Sequence, residues 1–329
     1  MLTSDFDYHL PPELIASEPL PDRSASRMMV GKRATGEIEH RFFRDLTDYA
    51  REGDLFVLND TRVVPARFFS NDGTREVLRL QAVTPTRWRC MVRPGKKFRI
   101  GHTVDIGDAT GCVTEIAGNG DRTLEFDRPV DVQRHGHLAL PPYMEREDRE
   151  SDKERYQTVF ARQEGSIAAP TAGLHFTPEL LAQLPHAFVT LHVGVGTFQP
   201  VKAERVEDHV MHSERCSLSA GAAARIREAK RVIAVGTTAS RVLESVFRKH
   251  GQIVADEGET DIFIHPPFEF RVVNSLLTNF HLPKSSLIML VSALAGRDLI
   301  MRAYAEAIEQ RYRFYSYGDA SLLLPGKGA

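Results

Sequence analysis

Two textures of apolar and polar positions alternate along the chain. An apolar run at 55–58 stops at the polar corner Asn59-Asp60-Thr61-Arg62, as a buried strand does. From Val63 to about Leu140, short runs at 77–83, 88–92, 104–106, 112–116 and 123–126 are separated by turn signals such as Asn71-Asp72-Gly73, Pro94-Gly95 and Gly118-Asn119-Gly120. Strands spaced so closely, with no helical period between them, predict a small antiparallel barrel or sandwich. Residues 145–155 are nearly all charged, in both signs, and form the return from this β insert as a solvated connector or helix face. Beyond them strand, turn and helix repeat. Strands are predicted at 166–169, 188–193, 232–235 and 261–265, and helices at 220–231, from 239, at 286–295 and at 299–312. Another helix opens at Thr177-Pro178-Glu179, with a capping threonine, a first-turn proline and an acid. A short helix is expected at 11–16. This repetition favours a layered α/β body. It comprises residues 1–62 and 146–329, with 63–145 inserted.

Composition narrows the classes without choosing one. The chain has 329 residues, 42% of them hydrophobic, which is ample for a sizeable core. A formal net charge of −2 names no partner, so a nucleic acid would have to be held by a local patch. The three cysteines, Cys90, Cys112 and Cys216, are odd in number and far apart, which argues against a disulfide framework. The amino-terminal residues lack a cationic start and an apolar core, and the longest apolar stretch, near 287–295, is too short to span a bilayer. A soluble, cytoplasmic protein is expected.

Three polar turns carry the chemistry. Ala168-Ala169-Pro170-Thr171-Ala172-Gly173-Leu174-His175 is the first, and Leu191-His192-Val193-Gly194-Val195-Gly196-Thr197-Phe198 the second. Glycines in the second would weaken a strand unless a ligand or another backbone comes close. The third, Thr278-Asn279-Phe280-His281-Leu282-Pro283-Lys284-Ser285-Ser286, sets polar groups before a buried helix. In addition, the strand at 232–235 runs through Gly236-Thr237-Thr238 into a helix, whose unpaired N–H groups suit a carboxylate or phosphate. It lacks the lysine of a P-loop and has no GxGxxG pattern. His209, His212 and Glu214 lie close in sequence, but no distal ligand pair matches them, so no metal is expected. In the insert, Arg87, Arg89, Arg93, Lys96, Lys97 and Arg99 interleave with Trp88 and Phe98, and no acid lies between Val77 and Val104. Alternation would put several cations on one face of a ribbon, as phosphate tracking needs, with the aromatics free to stack on bases or else serving as core.

Together these segments resemble the S-adenosylmethionine:tRNA ribosyltransferase-isomerases of queuosine biosynthesis. The similarity runs nearly the whole chain. Besides the turns above, it rests on Asp7-Tyr8-His9-Leu10-Pro11-Pro12-Glu13-Leu14, Ser26-Arg27-Met28-Met29-Val30 and Asn59-Asp60-Thr61-Arg62-Val63-Val64-Pro65-Ala66-Arg67. Leu140-Pro141-Pro142-Tyr143, Met211-His212-Ser213-Glu214 and Tyr312-Arg313-Phe314-Tyr315-Ser316-Tyr317-Gly318-Asp319-Ala320 extend it. Local departures are Arg215-Cys216, where an aromatic pair is usual, and His265 and Pro267 in place of tyrosine and glycine.

The resemblance implies a layered α/β/α sandwich with an inserted small antiparallel β-barrel. It implies that S-adenosylmethionine is consumed as a ribosyl donor, with no separate cofactor. The ribosyl group moves to the aminomethyl group of a 7-deazaguanine at the tRNA wobble position. It is then rearranged to give epoxyqueuosine, with adenine and methionine released. Such a reaction needs a base near the carbon beside the sulfonium and a proton or hydrogen bond for departing adenine. His175, His281 and His212 are the candidate acid/base groups, and Asp60 or Glu214 would orient one of them or face the cation. Thr171, Gly173, His192, Gly194, Gly196, Thr197, Phe198 and Asn279 would form substrate walls. Gly236, Thr237 and Thr238 are candidates for the methionine carboxylate, and Arg62 and Lys284 for phosphate or carboxylate contacts. Arg87, Arg89, Arg93, Lys96 and Lys97 would position tRNA, and a monomer is expected. The other readings are an S-adenosylmethionine-dependent RNA methyltransferase and a non-catalytic RNA-binding protein.

Overall fold

Largely apolar runs build the core strands of the protein. The computed structural model describes residues 1–194, 196 and 201–325. Among them lie two compact units, one of residues 1–62, 141–146 and 154–329, the other of 63–140 and 147–153. In the first unit every residue of the strands Asp54–Asn59, Arg231–Val235, Ser275–Asn279 and Ala320–Leu324 is buried. A strand buried on both faces has no polar side, which is why these runs show no alternation.

Nine strands form the large sheet. Their order is Asp256–Thr260, Glu214–Leu218, His186–Leu191, Asp54–Asn59, Arg231–Val235, Ser275–Asn279, Ala320–Leu324, Arg27–Lys32 and Glu37–Phe42. The middle four from His186–Leu191 to Ser275–Asn279 are mutually parallel, and Ala320–Leu324 runs antiparallel to the last of them. Successive side chains feed two separate cores, as period-two alternation requires. Leu55 and Val57 join a cluster with Val242, Leu243, Ile288 and Ile300 from the helices Thr237–His250, Ser286–Ala295 and Arg297–Glu309. Phe56 and Leu58 join another with Phe43, Phe176 and Leu180. Asp54 and Arg231 are register partners at the start of two central strands and form a buried ion pair, with Nε donating to Oδ1 at 2.8 Å and a second, shorter contact beside it.

The second unit is an antiparallel sheet of seven strands, in the order Gly136–His137, Arg67–Phe69, Glu76–Ala82, Arg87–Arg93, Arg122–Phe126, Ala109–Ile116 and Thr103–Ile106. Register shifts between Arg79 and Gln81 and between Thr123 and Leu124 curl it toward a half-barrel. Trp88, Phe68 and Phe126 pack at its centre, with ring centroids 4.7 and 4.9 Å from the tryptophan.

Three sequence expectations are corrected and one open alternative is settled. The strand expected at 166–169 is instead Gln163–Ser166, and Ile167 and Ala168 turn away to donate their N–H groups to the Val193 carbonyl. The strand expected at 261–265 lies earlier, at Asp256–Thr260; Ile262 and Ile264 are buried in the core from an irregular segment. Trp88 and Phe98 are each 1% exposed, so they are core and offer no stacking face. The short helix at 11–16 is a single 3₁₀ turn, Pro12–Leu14.

Removing one partner of a buried pair strands the other's charge. Arg231→Leu is therefore expected to lose about 3–5 kcal/mol of stability, read as a shifted urea midpoint at unchanged slope.

Candidate active site

Because four parallel strands end together, the segments that leave them gather at one edge. These are Asn59-Asp60, His192 to Gly194, Gly236 to Thr238, and Phe280-His281. Ligands of open α/β sheets bind beyond such carboxyl ends. A cavity of about 660 Å³, counted with its open mouth, lies there. Its walls come from Ala168 to Ala172, Val193, Gly236 to Thr238, Thr278 to Leu282, Tyr315-Ser316 and Tyr143. Among the described residues its lining contains no Asp, Glu, Lys or Arg.

Gly236 makes one wall possible. Its φ of 89° is in the region that favours glycine, and its N–H donates to the Leu277 carbonyl at 2.7 Å while the chain turns straight into the helix Thr237–His250. No side chain caps this helix, so its first N–H groups remain available at the cavity. Asn59 holds the turn in place. Its Nδ2 donates to the Leu191 carbonyl at 2.9 Å and to Thr238 Oγ1 at 3.1 Å, and its Oδ1 accepts from the Leu191 N–H at 3.0 Å.

The histidines occupy different places. His281 lines the cavity; its Nε2 is 3.1 Å from Thr278 Oγ1, and burial pushes its pKa down to about 3. His175 is buried behind it, stacked on Phe43 with centroids 4.9 Å apart, and burial likewise pushes it down to about 3. Its ring nitrogens contact Ser26 Oγ at 2.9 Å and Asn279 Nδ2 at 3.2 Å. Both rings are neutral near pH 7. His192 is half-buried, 2.8 Å from Thr61 Oγ1, and burial followed by Arg215 lowers its pKa. Asp60 is buried and accepts from the Thr190 hydroxyl at 2.7 Å; burial raises its pKa against that bond. Thr171 lines the cavity, whereas Gly173 packs where a Cβ would come within 2.7 Å of Thr158 and 2.8 Å of Phe160.

His212 and Glu214 belong to a second cavity, of about 820 Å³, together with Gly196, His209 and Arg241. Glu214 forms a close buried ion pair with Arg241 and accepts from the Gly194 N–H at 2.9 Å. Thr197 and Phe198 lie outside the described residues. Lys284 pairs with Asp7 at 2.7 Å, and Arg62 approaches Glu164 at 3.9 Å; all four side chains are exposed. No cluster of three or more His, Cys, Asp or Glu suited to a metal occurs among the described residues. Nor is any described helix long and apolar enough to cross a membrane.

In the second unit Arg87, Arg89 and Arg93 share the exposed face of one strand while Trp88 and Cys90 are buried on the other. Lys96 and Lys97 follow in an exposed turn. The stripe is partly neutralised by acids on neighbouring strands. Arg89 pairs with Asp121 at 2.9 Å, and Glu125 and Glu76 stand opposite Arg87 and Arg93 in register.

With this geometry in view, comparison with known proteins is decisive. Residues 3–323 match the family described as queuosine biosynthesis protein. The chain belongs to that family. An S-adenosylmethionine:tRNA ribosyltransferase-isomerase from Halothermothrix orenii is 49% identical over 98% of this chain and 100% of its own length. A protein of the same name from Symbiobacterium thermophilum is 51% identical with the same coverage. The crystal structure of an S-adenosylmethionine tRNA ribosyltransferase from Thermotoga maritima superimposes with a TM-score of 0.57 at 38% identity, covering 98% of this chain and all of that one.

Within this queuosine-family chain, the structure also brings in residues that were not singled out from the sequence. Tyr143 and Tyr315 pack with centroids 4.5 Å apart on the cavity wall, and Asn59 braces its floor. Tyr143 and Tyr315 come from distant segments, so only their place in the shared motifs marked them. Asn59 stood in the polar corner that ends its strand.

The neutral histidines give a pH signature. An unfolded histidine titrates near its ordinary value of about 6.5, so between there and pH 3 the unfolded chain binds more protons. Stability is thus complete above that range and falls as the pH drops, by up to about 1.4 kcal/mol per pH unit for each ring. His281→Gln should flatten the fall in urea midpoint between pH 6 and 4.

Proposed function

We propose that this chain is an S-adenosylmethionine:tRNA ribosyltransferase-isomerase. It transfers the ribosyl group of S-adenosylmethionine to 7-aminomethyl-7-deazaguanine at the tRNA wobble position, and rearranges it to give epoxyqueuosine-tRNA with release of adenine and methionine. The observation that carries this reading is similarity of about 50% identity over 98% of the chain to relatives of that name. S-adenosylmethionine is a consumed substrate, and no further cofactor is invoked. The enzyme works as a cytoplasmic monomer. Its large sheet and two cores form a layered α/β/α sandwich of residues 1–62 and 146–329, and residues 63–145 form an inserted small antiparallel β-barrel.

The cavity at the strand ends suits the cationic donor. A sulfonium is repelled by fixed positive charge, and the lining holds neither Lys nor Arg among the described residues. Tyr143 and Tyr315 offer ring faces that attract a cation. The uncapped first turn at Thr237 and Thr238 takes the methionine carboxylate. His281 contributes a neutral hydrogen-bonding ring, since an imidazolium there would oppose the sulfonium. His212 and Glu214, with Gly196, serve the second cavity, where the tRNA base can be accommodated. The wobble base lies in a single-stranded loop and can be splayed outward without opening a duplex.

Two measurements test this function. Incubation with S-adenosylmethionine and tRNA bearing the aminomethyl base should release adenine and methionine. S-adenosylhomocysteine in their place would mean methyl transfer, and no product at all would leave an RNA-binding protein. Neutralising Arg93, Lys96 and Lys97 together should weaken tRNA binding and lower the slope of log affinity against log salt by about 0.7–0.9 per lost phosphate contact. S-adenosylmethionine binding should not change. An unchanged slope would move the tRNA footprint off the insert.

A further inference from the structure

The amide of Asn279 can be oriented from its surroundings alone. Its Nδ2 lies 3.0 Å from the Tyr315 carbonyl, which only accepts, so the nitrogen and not the oxygen must face that way. The second Nδ2 hydrogen is directed at His175 Nε2, 3.2 Å away. His175 Nε2 must therefore present its lone pair, which places the ring proton on Nδ1 and aims it at Ser26 Oγ, 2.9 Å away. The Ser26 hydroxyl in turn reaches the Arg23 carbonyl at 3.4 Å. Every hydrogen on this path is used. What remains is Asn279 Oδ1, a buried acceptor with no partner, on a residue that is 2% exposed and lines the cavity. A buried acceptor with two idle lone pairs is costly unless a partner completes it.

We propose that Asn279 Oδ1 accepts a hydrogen bond from an amino group of a substrate, and that His175 is a positioning residue that fixes the Asn279 amide for this task instead of exchanging protons with the substrate. This deepens the proposed function and rests on it. Two substrate amino sources share the chemistry: S-adenosylmethionine, through its adenine or methionine nitrogen, and the aminomethyl group of the tRNA base. The stacking of His175 on Phe43 and its burial suit a ring held still. Its pKa near 3 keeps it an acceptor at Nε2 throughout the working pH range.

The full chain provides the test. Asn279→Ala is expected to cost about 10- to 100-fold in one of two measurements. Weaker S-adenosylmethionine binding by calorimetry without tRNA assigns the donor to that molecule. Intact binding with a lower kcat/KM for modified tRNA assigns it to the base amine. No change in either, in a variant with a normal melting transition, overturns the proposal. His175→Ala should lower turnover without removing a limb of its pH profile, and His175→Gln, whose carbonyl can accept from Asn279 Nδ2, should restore part of the loss. Equal inactivity of both variants, with a lost pH limb, would make His175 a proton carrier and refute the positioning role. Should Asn279→Ala fail to fold, nitrogen NMR of the wild-type ring decides: a proton on Nδ1 is required, and one on Nε2 refutes the proposal. If wild-type enzyme releases no adenine, the proposed function fails, whatever the tautomer.

Discussion

The structure depends on four adjacent parallel strands, three of them buried along their whole length. Parallel strands place all their carboxyl ends on one edge, and burial on both faces removes the polar side that a half-exposed strand would turn to water. Asp54–Asn59, His186–Leu191, Arg231–Val235 and Ser275–Asn279 share one direction, and their exits converge on one concavity. Ala320–Leu324 runs the other way, so the segment that precedes it, with Tyr315 and Ser316, arrives at the same edge. The site is thus a product of strand direction.

The cavity shows how charge can be managed without charged side chains. Its described walls offer a helix amino-terminus, amides, hydroxyls, aromatic faces and one neutral imidazole. Formal charges are kept nearby but paired, as in Glu214 with Arg241 and Asp54 with Arg231. Under the proposed function, a donor carrying a sulfonium, an ammonium and a carboxylate would meet fixed dipoles of either sign in such a site. Dipoles already oriented by the fold need little rearrangement as charge moves. The insert works on the opposite principle, with exposed cations on one face of a strand and acids beside them that limit the total field.

Much of this was legible from the chain. The compact run at 55–58, the capped helix Ser286–Ala295 and the turn-bounded strands of the insert were readable because a local signal marked each boundary. Asp256–Thr260 was not readable. Its residues Asp-Glu-Gly-Glu-Thr look like solvent-exposed loop, yet they pair with Glu214–Leu218 at the rim of the large sheet, where acidic side chains deter further pairing. The adjacent Ile262 and Ile264 gave a false strand signal because core can also be filled from irregular backbone. Trp88 and Phe98 were ambiguous for a related reason: a ring between arginines looks the same in sequence whether it faces bases or core. At the site, His281, Asn279 and the Gly236 turn could be nominated from local motifs. Which histidine faces the cavity and which stands behind it depends on packing against Phe43 and Ser26, residues more than a hundred positions from His175.

Asn59 has a mechanical consequence. One side chain grips both backbone groups of Leu191 and also the hydroxyl of Thr238, so it imitates a further rung of the ladder where the strands have begun to part. The exit of one strand and the start of a neighbouring helix are thereby tied into a single cooperative patch. Fraying at Leu191 carries a penalty at Thr238, and whatever settles on that helix start also tightens the backbone two strands away.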